Sequence, residues 1–211
     1  MDLFKEIQKA QKQLEGVVQT TPLAENFNLS AVYQARVFLK REDLQVVRSY
    51  KIRGAYNKIS TLSEADKAQD IVCASAGNHA QGVAYSCQLL GINGRIYMPK
   101  TTPKQKIKQV QLFVQEFVEI VLTGDTFDDT YRSARQYAED KEKIFVHPFD
   151  DMKVIAGQGT VGLEILNTLT IPIDYVFIPI GGGGLASGLS TVFKQLSPQT
   201  KIIGVEPSGA A

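Results

Sequence analysis

The chain has 211 residues, of which 44% are apolar, and its 23 Lys and Arg against 22 Asp and Glu leave a net charge of +1. This length suits one large domain or two small ones, and the apolar fraction is enough for a buried core. A charge so close to zero gives no reason to expect nucleic acid or an anionic membrane surface as a partner.

The number and spacing of the cysteines favour a protein of a reducing compartment. Cys73 and Cys87 are the only cysteines, and they lack the CxxC spacing and the second pair that would build a metal site. We therefore expect a cytoplasmic setting and no metal.

Residues 1–16 carry charges throughout and lack the apolar stretch of a signal peptide. Residues 175–193 contain no charge, but Pro179 and four consecutive glycines exclude a continuous membrane helix.

The predicted elements begin with an amphipathic helix over the first 14 residues. Ser49 and Ser63 are the expected N-caps of the next two helices, the first of which runs to residue 59. Further helices are predicted at residues 79–90, 103–113, 127–139, 152–166 and 185–196, and strands at 37–39, 71–74, 95–98, 118–122, 144–146, 175–180 and 201–205. This alternation predicts α/β layers around largely parallel sheets. A short basic run is interpreted as a solvated helix face, with an anion site as the alternative: Lys100, Lys104, Lys106 and Lys108.

Three segments carry candidate chemistry, and each lies where a helix begins, which is where open α/β sheets place ligands. The first is residues 49–55, with the sequence SYKIRGA. Lys51 lies in the first turn of the predicted helix, where the positive end of the helix dipole disfavours an ammonium and favours the neutral amine that imine chemistry needs. Considered alone, Lys51 fits a surface lysine on an ordinary helix better.

The second segment is residues 75–82, with the sequence SAGNHAQG, directly after a predicted strand. Small residues here expose backbone N–H groups at a helix N-terminus, which suits a carboxylate or phosphate, and Asn78 adds an amide donor. A plain helix cap by Asn78 or Ser75 explains the segment equally well, and a lone histidine such as His79 is more often structural than catalytic.

The third segment is the run of four glycines at residues 181–184, followed by Leu185, between a predicted strand and a predicted helix. Consecutive glycines allow positive φ and close backbone approach, so their N–H groups can wrap a phosphate. The run matches neither the dinucleotide fingerprint nor the P-loop, and a mere turn is the alternative. Together the three segments offer an amine for an aldehyde, a donor beside an anion nest and a phosphate cup, which are the requirements of pyridoxal phosphate.

At these segments, in order and spacing, the chain resembles the threonine/serine dehydratases of the tryptophan-synthase-β-like (fold type II) family, and the resemblance covers essentially the whole chain. Cysteine synthases are similar but usually carry a Ser-Gly-Asn-Thr-Gly loop, whereas His79 and Ala80 follow Asn78 here. Serine racemases carry a second serine where this chain has Ala76, so the resemblance favours dehydration.

The resemblance implies pyridoxal phosphate as cofactor, with Lys51 as its Schiff-base lysine and as the catalytic base. It implies that L-threonine, or L-serine, is converted with loss of ammonia, the former to 2-oxobutanoate as the first step towards isoleucine. It also implies roles for further residues, namely Asn78 at the ring hydroxyl, Gly181, Gly182, Gly183, Gly184 and Leu185 at the phosphate, and Ser75, Gly77 and His79 in the loop that takes the substrate carboxylate.

The implied fold is a two-lobed α/β structure with the cofactor between the lobes. Residues 62–147 are the expected small lobe, inserted into a large lobe built from residues 1–61 and 148–211. Because the chain stops at Ala211, we expect a large lobe that is incomplete at its C-terminus, with exposed apolar strands and poor activity of the chain alone. A homo-oligomer is expected. The alternatives are a non-catalytic cofactor-binding fragment and a β-replacement synthase of the same family.

Overall fold

The computed structural model describes residues 2–114 and 116–209, in which helices and strands alternate along most of the chain. The helices are α1 (Leu3–Gln13), α2 (Phe27–Tyr33), α3 (Lys51–Ser60), α4 (Glu64–Lys67), α5 (Asn78–Leu90), α6 (Lys104–Gln111), α7 (Phe127–Asp140), α8 (Met152–Thr168) and α9 (Gly184–Leu196). The strands are β1 (Leu23–Glu25), β2 (Phe38–Lys40), β3 (Ile71–Ala74), β4 (Gly94–Met98), β5 (Val118–Leu122), β6 (Ile144–Phe145), β7 (Tyr175–Pro179) and β8 (Lys201–Val205). Over these residues, none of the helices combines the length and the apolar character needed to cross a membrane.

Four strands form a parallel sheet in the order β5-β4-β3-β6. Strand β3 is buried along its whole length because helices cover both of its faces: Ile71 and Cys73 pack with α5, while Val72 and Ala74 pack with α7. This two-sided cover explains why β3 is a continuous apolar run. Since the strands are parallel, the loop that follows β3 and leads into α5 lies at the carboxyl edge of the sheet.

A second parallel pair, β7 and β8, packs on α8 and α9. Ile178 and Ile202 face these helices and belong to a buried apolar cluster with them. On the other face, Tyr175, Phe177 and Val205 are 51%, 67% and 50% exposed. We call these three side chains the outer face of β7–β8. Its exposure agrees with the expectation of apolar strands left open to solvent.

The sequence predicted the helices and parallel strands within about two residues, but it missed three short elements near the start. These are β1, which pairs antiparallel with β2, then α2, which follows β1 after Asn26, and a 3₁₀ turn over Glu42–Leu44; β2 itself was predicted at residues 37–39 and is observed at Phe38–Lys40. Asn26 caps α2 by accepting the Leu29 N–H at 3.0 Å. Three to seven residues are too few to display a hydrophobic period, which is why these elements escaped prediction.

One of the two predicted serine caps is wrong. Helix α3 begins at Lys51 and its N-cap is Tyr50, so Ser49 lies one residue too early to cap it. Ser63 caps α4, as predicted, by accepting the Asp66 N–H at 3.1 Å. The basic run is solvated, as predicted, but it is not a single helix face, because Lys100 precedes α6 and only the other three lie on it: Lys104, Lys106 and Lys108.

The four-stranded sheet lies wholly within residues 62–147, and β7–β8 lies wholly outside that range. This arrangement agrees with the predicted small lobe and the two-part large lobe, and the division into lobes stays a prediction. Four positions of the predicted ranges lie outside the described residues: Met1, Gln115, Ala210 and Ala211.

Candidate functional site

Lys51 is the first residue of α3, and its side chain points towards a backbone carbonyl rather than an acid. Its Nζ donates a hydrogen bond to the Pro148 carbonyl at 2.7 Å and lies 5.6 Å from the centroid of the Tyr50 ring. Burial lowers the pKa of Lys51 to about 8. At neutral pH its amine is therefore neutral far more often than that of an ordinary lysine. The cause of the lowered pKa is burial of the side chain.

A buried ion cluster fixes the helix that carries Lys51. Arg53 is fully buried and donates to Glu42 at 2.8 Å and to Glu164 at 2.6 Å. Lys40 donates to the second oxygen of Glu164, also at 2.6 Å. Two cations thus meet two carboxylates, which ties α3 to β2, to the 3₁₀ turn and to α8. This cluster leaves no local pattern in the sequence, because its members are far apart along the chain.

The second segment leads from β3 into α5 without a side-chain cap. Gly77 is the N-cap residue, and neither Asn78 nor Ser75 bonds to the first turn of the helix. Ser75 instead accepts the Gly77 N–H at 3.2 Å. The plain-cap alternative is therefore wrong, and the N–H groups at the start of α5 keep the character of an anion site. Asn78 is exposed as the first residue of α5.

His79 is buried and neutral. Its Nε2 lies 3.0 Å from the Val146 carbonyl, and because a carbonyl only accepts, Nε2 carries the proton. Burial lowers the pKa of His79 to about 3, with the charge of Lys51 adding to the effect. Among the described residues, Nδ1 is buried without a hydrogen-bond partner. The side chain of His79 thus holds the loop through the Val146 carbonyl, and its role towards a substrate stays a prediction.

The four glycines between β7 and α9 face two different environments. A Cβ added at Gly182 would lie 2.2 Å from the Phe149 ring, and one added at Gly184 would lie 2.8 Å from the Phe149 carbonyl oxygen. A Cβ added at Gly181 or Gly183 would meet nothing within 4 Å, although Gly183 has a φ of +83° and resists substitution for that reason. Two glycines therefore permit close packing, and the other two border open space at the N-terminus of α9.

One short stretch of backbone brings the three segments together. We call residues 146–149 the bridging segment. Its Val146 carbonyl accepts from His79, its Pro148 carbonyl accepts from Lys51, and its Phe149 ring packs against the glycine run. This segment was not predicted from the sequence. Its only signal was position, because it follows β6 at the carboxyl edge of the sheet, next to the loop after β3.

The site fits pyridoxal phosphate by its donors and its shape. It offers an amine of depressed pKa for the aldehyde, an uncapped helix N-terminus at α5, and a second one at α9 whose glycines leave room for a phosphate. Within the described part of the chain, no group of three or more acidic, cysteine or histidine side chains could hold a metal ion. The fold and the site define an enzyme of the pyridoxal-phosphate class.

Comparison with known proteins agrees with that assignment. The family model described as "Pyridoxal-phosphate dependent enzyme" matches residues 14–211, and the chain belongs to this family. Its fold is that of the fold type II members, as predicted. The biosynthetic L-threonine dehydratase IlvA of Bacillus subtilis (strain 168) is 55% identical over 207 residues, which cover 98% of this chain and 49% of the relative. The protein of the same name from Halalkalibacterium halodurans is 56% identical over 201 residues, 95% of this chain and 48% of the relative.

Two solved structures match nearly the whole chain. The processed form of threonine deaminase isoform 2 from Solanum lycopersicum has a TM-score of 0.93 and 45% identity, covering 99% of this chain and 57% of its own. Maize serine racemase has a TM-score of 0.92 and 32% identity, covering 98% of this chain and 61% of its own. The chain spans about half the length of the curated relatives it matches.

Proposed function

We propose that the protein containing this chain converts L-threonine to 2-oxobutanoate and ammonia with pyridoxal phosphate as its cofactor. The observation that carries the proposal is the half-buried Lys51 amine, with its depressed pKa, bonded to the bridging segment that also contacts His79 and the glycine run. The names of the relatives at 55% and 56% identity support threonine as the substrate. The alternative of a non-catalytic cofactor-binding fragment applies to the 211-residue chain expressed alone.

In this proposal Lys51 has two tasks, and both need a neutral amine. It holds the cofactor through the aldehyde, and once the substrate amine has taken its place, Nζ accepts the Cα proton of threonine. When bound, pyridoxal phosphate supplies an electron sink for the negative charge that develops at Cα. The Pro148 carbonyl, 2.7 Å from Nζ, keeps the amine oriented between these tasks. The β-hydroxyl leaves as water, and hydrolysis of the carbon–nitrogen bond releases ammonia.

The remaining site residues bind and orient in this proposal. Asn78 donates to the ring oxygen of the cofactor, and the backbone of residues 181–185 binds its phosphate with help from the α9 dipole. Ser75, Gly77 and the backbone of His79 take the substrate carboxylate at the start of α5. These groups lie at or just before the N-termini of α5 and α9, where backbone N–H groups stabilise an anion.

The borohydride test of Lys51 decides the assignment. Reduction of the cofactor-loaded protein followed by peptide mass spectrometry should find the cofactor on Lys51, and Lys51→Ala should abolish both this label and the release of 2-oxobutanoate. Lys58→Ala is the matched control, because Lys58 lies on the same helix in an ion pair with Asp151 at 2.8 Å. It should keep the label on Lys51. A reduced cofactor found on Lys40 or Lys58 would sink the assignment.

Racemisation is the second candidate activity, because maize serine racemase matches with a TM-score of 0.92. Ala76 speaks against it, since its methyl group has no proton to exchange on the opposite face of the cofactor. Assay of D-serine formation beside the turnover of L-threonine and L-serine separates the two activities. Racemisation at a rate comparable to dehydration would show that Ala76 is no barrier.

We further propose a cytoplasmic homo-oligomer. Cys73 and Cys87 are buried as free thiols, and burial raises the pKa of both, that of Cys87 to about 12, so neither is reactive. Unbridged cysteines suit a reducing compartment.

Helix α2 exposes three large apolar side chains, Phe27, Val32 and Tyr33, which favours a subunit contact there. Sedimentation of the purified protein would measure the assembly.

A further inference from the structure

The bridging segment is itself held by a histidine that the proposed chemistry does not use. His147 Nδ1 accepts two backbone N–H groups, from Asp150 at 2.7 Å and from Phe149 at 3.3 Å. A ring nitrogen that accepts from two donors carries no proton, so His147 is neutral and protonated at Nε2. The side chain therefore closes a turn over residues 147–150, in the manner of an Asx turn.

Aromatic contacts hold the His147 ring in this orientation. It meets Phe149 edge to face with centroids 4.6 Å apart, and Tyr131 on α7 in the same manner at 6.0 Å. Phe145 packs beside it at 6.3 Å. These three rings pack around His147 in the orientation that points Nδ1 towards the turn. The acceptor is therefore fixed at the turn.

The turn closed by His147 sets the position of the groups around Lys51. The Pro148 carbonyl lies inside it and meets Lys51 Nζ at 2.7 Å. The Val146 carbonyl, directly before it, meets His79 Nε2 at 3.0 Å. Phe149, whose N–H is one of the two that Nδ1 accepts, packs against Gly182. Opening the turn would therefore disturb all three segments of the site.

We propose that His147 is a positioning residue for Lys51: its unprotonated Nδ1 closes the turn that keeps the Pro148 carbonyl on Nζ, and a proton on Nδ1 opens that turn. The inference rests on the proposed function of Lys51. A protonated Nδ1 would be a donor facing two donors, so the loss of both hydrogen bonds follows directly. The environment of the Lys51 amine therefore depends on the charge of His147, a residue that does not contact the substrate.

Charged groups from several elements face His147. Burial lowers the pKa of His147, and Arg135 on α7 and Lys51 on α3 act in the same direction, while Asp150 and Asp151 oppose them. The other histidine, His79 on α5, is close enough that the charge of His147 lowers its pKa. Because the folded pKa lies below the ordinary value of about 6.5, the ring is neutral at neutral pH, and the turn opens only as the pH falls through the folded pKa.

Two substitutions separate the acceptor from the ring. His147→Asn places Oδ1 near the position of Nδ1, where it can accept the same two N–H groups, and it does not titrate. His147→Gln carries the same amide on a chain one methylene longer, so its oxygen reaches past the turn. Both variants lose the aromatic contacts. A difference between the two variants therefore measures the effect of the hydrogen-bond acceptor alone, without the effect of losing the ring.

The first measurement is the titration of Lys51 in the cofactor-free protein. The rate of its acetylation by acetic anhydride is followed against pH by peptide mass spectrometry, with Lys58 as the internal reference for the reagent. His147→Asn should keep the Lys51 midpoint of the unsubstituted protein. His147→Gln should raise it by roughly one pH unit, because Nζ gains water when the turn opens. Equal midpoints in the two variants would overturn the proposal.

The second measurement needs no variant, so it holds even if a substitution prevents folding. Nitrogen-15 spectra of labelled histidine should show an unprotonated Nδ1 for His147 above pH 7. On its protonation, the slow exchange of the Phe149 and Asp150 amides should be lost. A neutral ring protonated at Nδ1 would overturn the role of His147. Absence of borohydride-trapped cofactor on Lys51 in the unsubstituted protein would instead count against the proposed function, which separates the two failures.

Discussion

At the scale of single residues, the four glycines before α9 show how one motif serves two purposes. Gly182 and Gly184 face Phe149 of the bridging segment, and each lacks a side chain because Phe149 occupies that space. Gly181 and Gly183 border open space, which the proposed function assigns to the phosphate. Positions that pack against Phe149 therefore alternate with positions that face open space, and substitutions at neighbouring positions should have different effects.

Gly182→Ala should lower the free energy of unfolding by about 1–3 kcal/mol, because the new methyl group would overlap the Phe149 ring. Gly181→Ala is the matched control and should change that free energy by less than about 1 kcal/mol. In the protein containing this chain, it should weaken the affinity for pyridoxal phosphate instead. Urea unfolding of the cofactor-free protein and fluorescence titration with the cofactor measure the two effects. A Gly181→Ala protein as unstable as Gly182→Ala would contradict this division.

The sequence predicted the candidate site only as far as its signals are local. Lys51, the loop at residues 75–82 and the glycine run are each short patterns at the start of a helix, and the structure brings them together. The bridging segment escaped because its contacts to His79 and Lys51 join residues 67 and 97 positions apart. Backbone carbonyls carry no residue signature, so no pattern could have revealed them. The roles of the individual site residues stay predictions.

At the scale of elements, the attachment of α1 depends on a buried carboxylate. Glu6 accepts hydrogen bonds from Lys153 on α8 and from Lys9, both at 2.7 Å. Ile7, the next residue, packs closely over Gly159 of α8, where a Cβ would lie 2.6 Å from Ile7 Cδ1. The bond from Lys153, followed by that from Lys9, lowers the pKa of Glu6 from 4.5 to about 2. The packing of α1 on α8 therefore depends both on apolar contacts and on a Glu6 carboxyl group that must stay ionised.

The contribution of Glu6 to stability should depend on pH in a defined window. A carboxyl whose pKa is lowered on folding stabilises the folded state above its unfolded pKa of 4.5, and this contribution is lost as the pH falls towards 2. Glu6→Gln should cost about 1–2 kcal/mol at pH 7, less than a fully buried pair because Lys9 is exposed. Urea unfolding of both proteins should show the difference shrinking below pH 4.5.

Glu64→Gln is the control for this experiment. Its side chain is 90% exposed and pairs with Lys67 within one helical turn, so its removal should change stability little at any pH. If the gap between Glu6→Gln and the unsubstituted protein is as large at pH 3 as at pH 7, the ionised carboxylate is not what holds α1.

The accuracy of the predicted elements follows their length and burial. The strands and helices from residue 71 onward alternate between continuous apolar runs and amphipathic faces, and each was predicted close to its observed bounds. Helix α2 is seven residues long, about two turns, which is too short to display a helical hydrophobic period. The N-cap of α3 was misplaced because Tyr50 already adopts helical dihedrals, which sequence alone does not reveal.

At the scale of the whole molecule, the outer face of β7–β8 stands out because parallel strands are normally covered on both faces. Tyr175, Phe177 and Val205 are each at least half exposed, although their opposite faces belong to a packed cluster. The relatives are about twice as long as this chain. We expect the additional length of such a protein to cover this face.

The 211-residue chain expressed alone should therefore bind a hydrophobic dye such as anilinonaphthalene sulfonate more strongly than a protein of the relatives' full length, and turn over threonine more slowly. Phe177→Ser should reduce dye binding by the short chain. Leu112→Ser is the control, because Leu112 is 74% exposed at the end of α6, away from these strands. Equal dye binding by the two lengths of protein, or equal turnover, would contradict the expectation.

The position of the bridging segment in the sequence also determines when the site can form during synthesis of the chain. Lys51 leaves the ribosome early, but its partner Pro148 follows 97 residues later, and the glycine run later still. Strands β3 to β6 are complete by residue 145, so their sheet can form while the site is still unassembled. Closing such a distant contact is slow, since loop entropy must be overcome before any contact is gained. A nascent chain therefore acquires the capacity to capture its cofactor only after all strands of its four-stranded sheet have been synthesised.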